Sequence, residues 1–320
     1  METSESRSKC MADEIIRINC GSFGKLLYIC TLNLLDDKTK MKRYTLMVRL
    51  ALVACLIAVA SGCQRLASYD YSPYQHISVE EEAHLTEDVS SPFCDFTLDY
   101  SCLNEKDDSI AGVINRAIQW EFLGEEFASL SPEAAVDSFK NVYLRDYRKE
   151  VGELYQADLD KSTSRETVPQ WYAQTYSMVT FVEDGHGGTV NATASYYVDM
   201  GGAHPNQWSR WINYDFTTGK QLTKEDVFRD DAIQDVERIL FAKLLANRAE
   251  LHSDAEVKTL EDLQALGYLQ MTNIYIPDNF LLSKNAVMFL FNRYDIAPYS
   301  AGEIVLEVPY EEIGHCLKNN

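Results

Sequence analysis

Two runs of strict alternation constrain this chain more than any other feature. Tyr172, Gln174, Tyr176, Met178, Thr180 and Val182 alternate with Ala173, Thr175, Ser177, Val179 and Phe181, and Val190, Ala192, Ala194, Tyr196 and Val198 repeat the pattern. Successive side chains of a strand point to opposite faces, so this period of two predicts strands with one buried face. Asp184-Gly185-His186-Gly187-Gly188 lies between them and supplies turn residues, which makes the unit a long hairpin. A loop, Met200-Gly201-Gly202-Ala203-His204-Pro205-Asn206, leads to a third strand from Trp208 to Phe216. Sequential strands are usually spatial neighbours, so the three predict an antiparallel sheet.

The rest of the chain supplies helices and further strands. Cys94, Phe96, Leu98, Tyr100 and Cys102 alternate with Asp95, Thr97, Asp99 and Ser101, a strand with one apolar face. Asp108-Ser109 caps a helix carrying Ile110, Val113, Ile114, Ala117 and Ile118, and Ser131-Pro132-Glu133 opens another with the stripe Val136, Phe139, Tyr143, Tyr147 and Val151. On that second helix Asp137, Lys140, Arg145 and Lys149 are expected on the wet side. Thr223 with Asp226, and Thr259 with Asp262, have capping-box spacing ahead of apolar stripes. Strands return at Asn273 to Ile276, Phe280 to Leu282, Val287 to Phe291 and Glu303 to Val308. The expected fold is α+β: an antiparallel sheet with helices packed on one face, in two lobes, with the break between Asp160 and Pro169.

Charge divides the chain unevenly. Residues 1–40 balance, residues 41–62 carry three basic groups and no acid, and residues 63–320 carry 20 basic against 43 acidic groups, a net of -23. So acidic a body excludes nucleic acid as a partner and steers cationic ones. Met41-Lys42-Arg43 followed by the apolar run Leu50 to Ala60 and by Ala60-Ser61-Gly62-Cys63 reads as a secretory signal cut before a cysteine. It resembles a bacterial lipoprotein signal, which implies a lipid on Cys63 and a cell-envelope, periplasm-facing location, anchored without a spanning helix. On this reading residues 1–40 are an untranslated or non-structural leader, 41–62 the signal, 63–92 a tether, 93–160 a first α+β domain and 168–315 a second. The cysteines have no zinc-type spacing. Cys94 and Cys102, about 26 Å apart if on one strand, either meet Cys316 or stay buried thiols.

The candidate site is the glycine-flanked loop and a later aromatic turn: Gly201, Gly202, His204 and Asn206, with Tyr294, Asp295, Pro298 and Tyr299. Both glycines are expected at positive φ, with the histidine ring bonded to loop backbone. Aromatic rings beside such a loop make contact surface for a protein or a glycan. No serine elbow, ligand pair or cofactor motif accompanies them, so no catalytic residue, metal or cofactor is expected. The alternative is a wall- or glycan-directed hydrolase built on His204 with His186, Asp199 and nearby carboxylates.

Three stretches together carry a resemblance: Gly201 to Asn206, Asn213 to Phe228 (Asn-Tyr-Asp-Phe-Thr-Thr-Gly-Lys-Gln-Leu-Thr-Lys-Glu-Asp-Val-Phe) and Phe291 to Gly302 (Phe-Asn-Arg-Tyr-Asp-Ile-Ala-Pro-Tyr-Ser-Ala-Gly). They resemble the C-terminal domain shared by RsiV-type sensors and PdaC-type proteins, a domain of unknown function numbered 3298, over residues 168–315, and residues 93–160 look like its usual companion domain. The resemblance implies an extracytoplasmic binding module, which in the RsiV-type sensors binds lysozyme. The expected partners are therefore the membrane, through the lipid, and lysozyme, another basic protein or a peptidoglycan fragment, held in an acidic cleft without turnover.

Overall fold

The structure is a computed structural model, and it describes residues 73–104, 109–161, 170–251 and 257–318. All of these fall within one compact unit, Ser72–Asn320. Cys63, the signal, the Asp108 cap and the Asp160–Pro169 break as a whole are not among them. No helix among the described residues is long and apolar enough to cross a membrane.

Strands β1 (Tyr74–His84), β2 (Phe93–Leu103), β3 (Gln174–Asp184), β4 (Thr189–Asp199), β5 (Asn206–Asp215) and β6 (Gln221–Leu222) form a six-stranded sheet in chain order. A second, three-stranded sheet holds β7 (Phe280–Leu282), β8 (Ala286–Phe291) and β9 (Ile304–Pro309). Helices α1 (Ser109–Phe122) and α2 (Pro132–Lys161) lie between β2 and β3 in the chain, α3 (Lys224–Val227), α4 (Ile233–Leu251) and α5 (Leu260–Ala265) between β6 and β7, and α6 (Tyr310–Ile313) follows β9. The class is α+β as the patterning predicts, and the expected hairpin pairs from Asp184 opposite Val190 to Thr175 opposite Asp199, whereas Tyr172 lies in a short 3-10 turn (Gln170–Tyr172) ahead of the strand.

Four expectations need correction. Residues 74–84, assigned to a tether, are strand β1, antiparallel to β2 with Ala83 buried opposite Cys94. The Glu80-Glu81-Glu82 run hid the alternation, because Glu81 points toward the helix layer and is neutralised there by Lys140 at 3.2 Å and Arg148 at 3.5 Å. Lys140 is accordingly not on the wet side of α2; its side chain is only 17% exposed. The sheet is not wholly antiparallel, and 160–169 is not a lobe boundary, because β2 and β3 pair in parallel from Cys94 opposite Gln174 to Asp99 opposite Val179. A parallel pair needs a long crossover, and α1 with α2 provides it. Asn273 to Ile276 is irregular backbone rather than a strand, although Ile276 is buried.

The hydrophobic clusters divide elsewhere. One joins Phe96, Leu98, Tyr176, Met178, Ala192, Ala194 and Tyr214 of the large sheet with Ile114, Ile118, Val136 and Leu144 of α1 and α2. Inside it Phe96 stacks on Tyr176 at 5.1 Å and 8°, and Tyr143 of α2 meets Tyr176 at 4.5 Å. The other joins Val236, Leu240 and Leu244 of α4 with Val287, Phe289, Phe291, Leu306 and Val308 of the small sheet. The division therefore falls at the turn after β5. There Asp215 accepts from the N–H groups of Thr217 and Thr218 through Oδ1, and Gly219 turns at φ 73°. Cys94 and Cys316 carry free thiols in different clusters, and Cys102 is buried on β2.

Asparagine side chains join the two sheets. Asn213 of β5, 1% exposed, donates from Nδ2 to the Phe280 carbonyl (2.9 Å) and accepts the Leu282 N–H at Oδ1 (2.7 Å). Asn292 makes the same two-point contact with the backbone of Ser209, at 2.7 and 3.0 Å. Asn279 accepts the Trp211 N–H and donates to the Ser209 carbonyl. An amide side chain presents the donor and acceptor of a peptide group, so Asn279 and Asn292 bond the backbone of β5 and Asn213 that of β7 as a neighbouring strand would.

Candidate functional site

The glycine loop leaves the end of β4, where Asp199 Oδ1 accepts the Gly201 N–H at 2.9 Å. Gly201 sits at φ 72°, and a Cβ there would lie 2.6 Å from the Trp171 carbonyl oxygen, so both conformation and space require glycine. Gly202 does not share that conformation, contrary to expectation, and a Cβ on it would meet nothing nearer than 3.9 Å.

His204 is exposed and stacks on Tyr299 with ring centroids 3.9 Å apart and 23° between planes. Its Nδ1 lies 3.2 Å from the Pro205 carbonyl, and its Nε2 lies 3.5 Å from the Tyr294 hydroxyl. The Tyr299 hydroxyl donates to the Pro205 carbonyl at 2.8 Å. The ring is thus bonded to loop backbone, as the sequence suggests, and held by tyrosines about ninety residues away.

The aromatic turn is built to carry those rings. Asp295 accepts the Asn292 N–H at Oδ2 (2.7 Å) and donates its own N–H to the Asn292 carbonyl (3.1 Å). Tyr294 has φ 71°, an unfavourable setting for an aromatic residue, and its N–H donates to the Ala297 carbonyl. The result is a tyrosine ring 66% exposed beside His204. Desolvation raises the Asp295 carboxyl above its ordinary range, and the Asn292 N–H offsets this in part. Pro298 lies against Gly267, whose added Cβ would come 3.5 Å from it. Asn206 opens β5 opposite Val198 and is exposed.

The structure gathers His204, Tyr294 and Tyr299, and it does not bring His186 to them. His186 lies in the turn at the other end of the β3–β4 hairpin, stacked on Tyr310 at 4.1 Å, and the 11 residues of β4 separate the two ends by about 33 Å. Among the described residues His204 makes no ion pair with a carboxylate, and no group of three or more His, Cys, Asp and Glu side chains is arranged to hold a metal.

Sequence reading missed the sheet face away from α1 and α2. Register aligns Glu82, Asp95, Thr175 and Asp199 in one row, Glu80, Thr97, Ser177, Tyr197 and Gln207 in the next, and Ser78, Asp99, Val179, Ser195 and Ser209 in a third. Glu80, Glu82 and Asp95 are exposed and have no ion-pair partner among the described residues. The glycine loop departs from the end of the first row, at Asp199. The third row ends in a depression of about 320 Å³ that Arg293 and Glu303 close from the small-sheet side. Alternation along β1 was the signal for this face, and the acidic run obscured it.

Residues 225–311 match the family described as protein of unknown function, DUF3298. That segment includes Tyr294 to Tyr299 and begins after the glycine loop. No curated protein matches the chain. A solved DUF3298 protein from Bacteroides fragilis is 25% identical with a TM-score of 0.70, covering 77% of this chain and 94% of that one. A second, from Pseudomonas aeruginosa, is 18% identical with a TM-score of 0.51 over the same shares, a likeness of fold alone. The chain therefore carries a DUF3298 domain at residues 225–311, within an architecture that extends over most of its length in solved proteins of that family.

Proposed function

We propose that this is a binding protein of the bacterial cell envelope, held to a membrane by lipid on Cys63, which takes a cationic protein such as lysozyme without turning it over. The observation that carries the reading is the exposed acidic face of the large sheet, with Glu80, Glu82 and Asp95 in adjacent rows and the His204, Tyr294 and Tyr299 rings at its end. Unpaired like charges on a broad face steer a cation toward it, and exposed aromatic rings at its margin supply apolar contact once it arrives. The net charge of -23 beyond residue 62 favours the same class of partner. The hydrolase alternative has less support, since His186 stands at the far end of the hairpin and Asp199 is engaged by Gly201.

Calorimetric titration with lysozyme at low and at physiological salt tests the reading. Affinity is expected to fall as salt rises, and Glu80→Lys with Glu82→Lys is expected to weaken low-salt binding about tenfold or more. Absence of binding at low salt would remove the proposal. Mass spectrometry of the processed N-terminus decides the anchor separately: a diacylglyceryl mass on Cys63 is expected, and an intact leader without acyl mass refutes it.

A further inference from the structure

The depression at the end of the third row has a chemistry that the acidic face does not share. Its floor is Ser195 and Ser209, whose hydroxyl oxygens lie 3.1 Å apart, and its walls include Gln207, Tyr197, Arg293 and Glu303. Glu303 Oε1 accepts the Ser209 hydroxyl at 2.9 Å and lies 3.9 Å from Arg293 Nη1. Arg293 is placed by the Tyr299 ring, 5.2 Å from its guanidinium carbon, and its side chain is 20% exposed. Its Nε is buried with no hydrogen-bond partner among the described residues.

We propose that this pocket binds a neutral saccharide through a vicinal diol, with one hydroxyl donating to Glu303 and its neighbour accepting from Arg293. Two features lead there. The two charges cancel, so a neutral ligand leaves none uncompensated, whereas an anion or a cation would. Apart from the Trp208 indole N–H, a donor only, the other polar side chains that line it are hydroxyls and one amide, able to both donate and accept, which is the pattern sugar hydroxyls satisfy. The half-buried Tyr197 ring adds an apolar wall for the sugar's C–H face. The volume lies at the small end of ligand sites and suits one or two sugar rings.

This inference stands on the pocket and not on the cationic-partner reading, so the two fail separately. The test is a nuclear magnetic resonance titration of the full chain with methyl mannoside, glucose and the disaccharide of N-acetylglucosamine. At least one is expected to shift the amides of residues 195, 197, 207 and 209 saturably, with a Kd of about 1 mM. Glu303→Gln is expected to weaken binding about tenfold, and Ser195→Val, which fills the floor without touching Glu303 or Arg293, to abolish it. Lys284→Ala, at an exposed position outside the pocket, leaves it unchanged, and unaltered spectral dispersion in each variant shows that it folds. No saturable shift from any of the three sugars overturns the proposal. So does binding that Glu303→Gln and Ser195→Val leave intact, or saturation by a zwitterionic amino acid in place of the sugars.

Discussion

Replacing Asn213 by alanine is expected to cost about 3 kcal/mol. Its side chain gives one hydrogen bond to the Phe280 carbonyl and takes one from the Leu282 N–H, and the residue is 1% exposed, so water does not replace what alanine removes. The Leu282 N–H has a single hydrogen to give and becomes a buried donor without a partner, worth about 1–3 kcal/mol. The Phe280 carbonyl has two lone pairs and loses less, about 1 kcal/mol. For a compact unit of this size each kcal/mol moves Tm by about 2–4 °C, so the midpoint falls by about 6–12 °C. Urea denaturation followed by tryptophan fluorescence, with a thermal scan by circular dichroism, measures both. Asn279→Ala, at a half-buried position, is expected to cost less, and Lys284→Ala, at an exposed one, within about 0.5 kcal/mol of nothing. Should Asn213→Ala match Lys284→Ala, the side chains are not what couples β5 to the small sheet.

Three further outcomes follow from single positions. Asp226 is held at about 2, below its ordinary 3.8, chiefly by Lys220 and then by the Thr223 N–H. A depressed carboxylate stabilises above its unfolded pKa and ceases to as pH falls through the folded one. Asp226→Asn should therefore lower the urea midpoint at pH 7, and the difference should vanish between pH about 4 and about 2; a difference constant with pH refutes the pairing. Gly201→Ala is expected to cost about 1–3 kcal/mol while Gly202→Ala is nearly neutral, and equal costs would contradict the positive φ at Gly201 alone. Burial pushes the Cys94 thiol up to about 12 and raises that of Cys316, so neither should alkylate at pH 8 until urea unfolds the chain. A peptide map showing either in a disulfide would refute the assignment of free thiols.

The β3–β4–β5 meander was legible because each strand buries one face, and burial writes itself into the sequence as alternation. Strand β1 was not, because Glu81 occupies an inward position where alternation demands an apolar residue. Only Lys140 and Arg148, on a helix more than fifty residues away, make that acid tolerable. The parallel pairing of β2 with β3 was equally hidden, since nothing local records which strand a crossover returns to. At the site, the residues of the glycine loop and aromatic turn were visible as motifs, and their contact was not. Their geometry depends on Asn292, whose side chain pins Ser209 while its backbone is held by Asp295. The same turn then sets Tyr294 at its strained φ, Arg293 against Tyr299, and Tyr299 against His204. One asparagine thus fixes both the aromatic margin of the acidic face and one wall of the neutral pocket. A ligand meeting either surface finds its contacts ordered in advance, and little conformational entropy is left to lose on binding. It also means that loosening Asn292 should weaken both surfaces together, whereas changing Glu80 or Ser195 should affect only one.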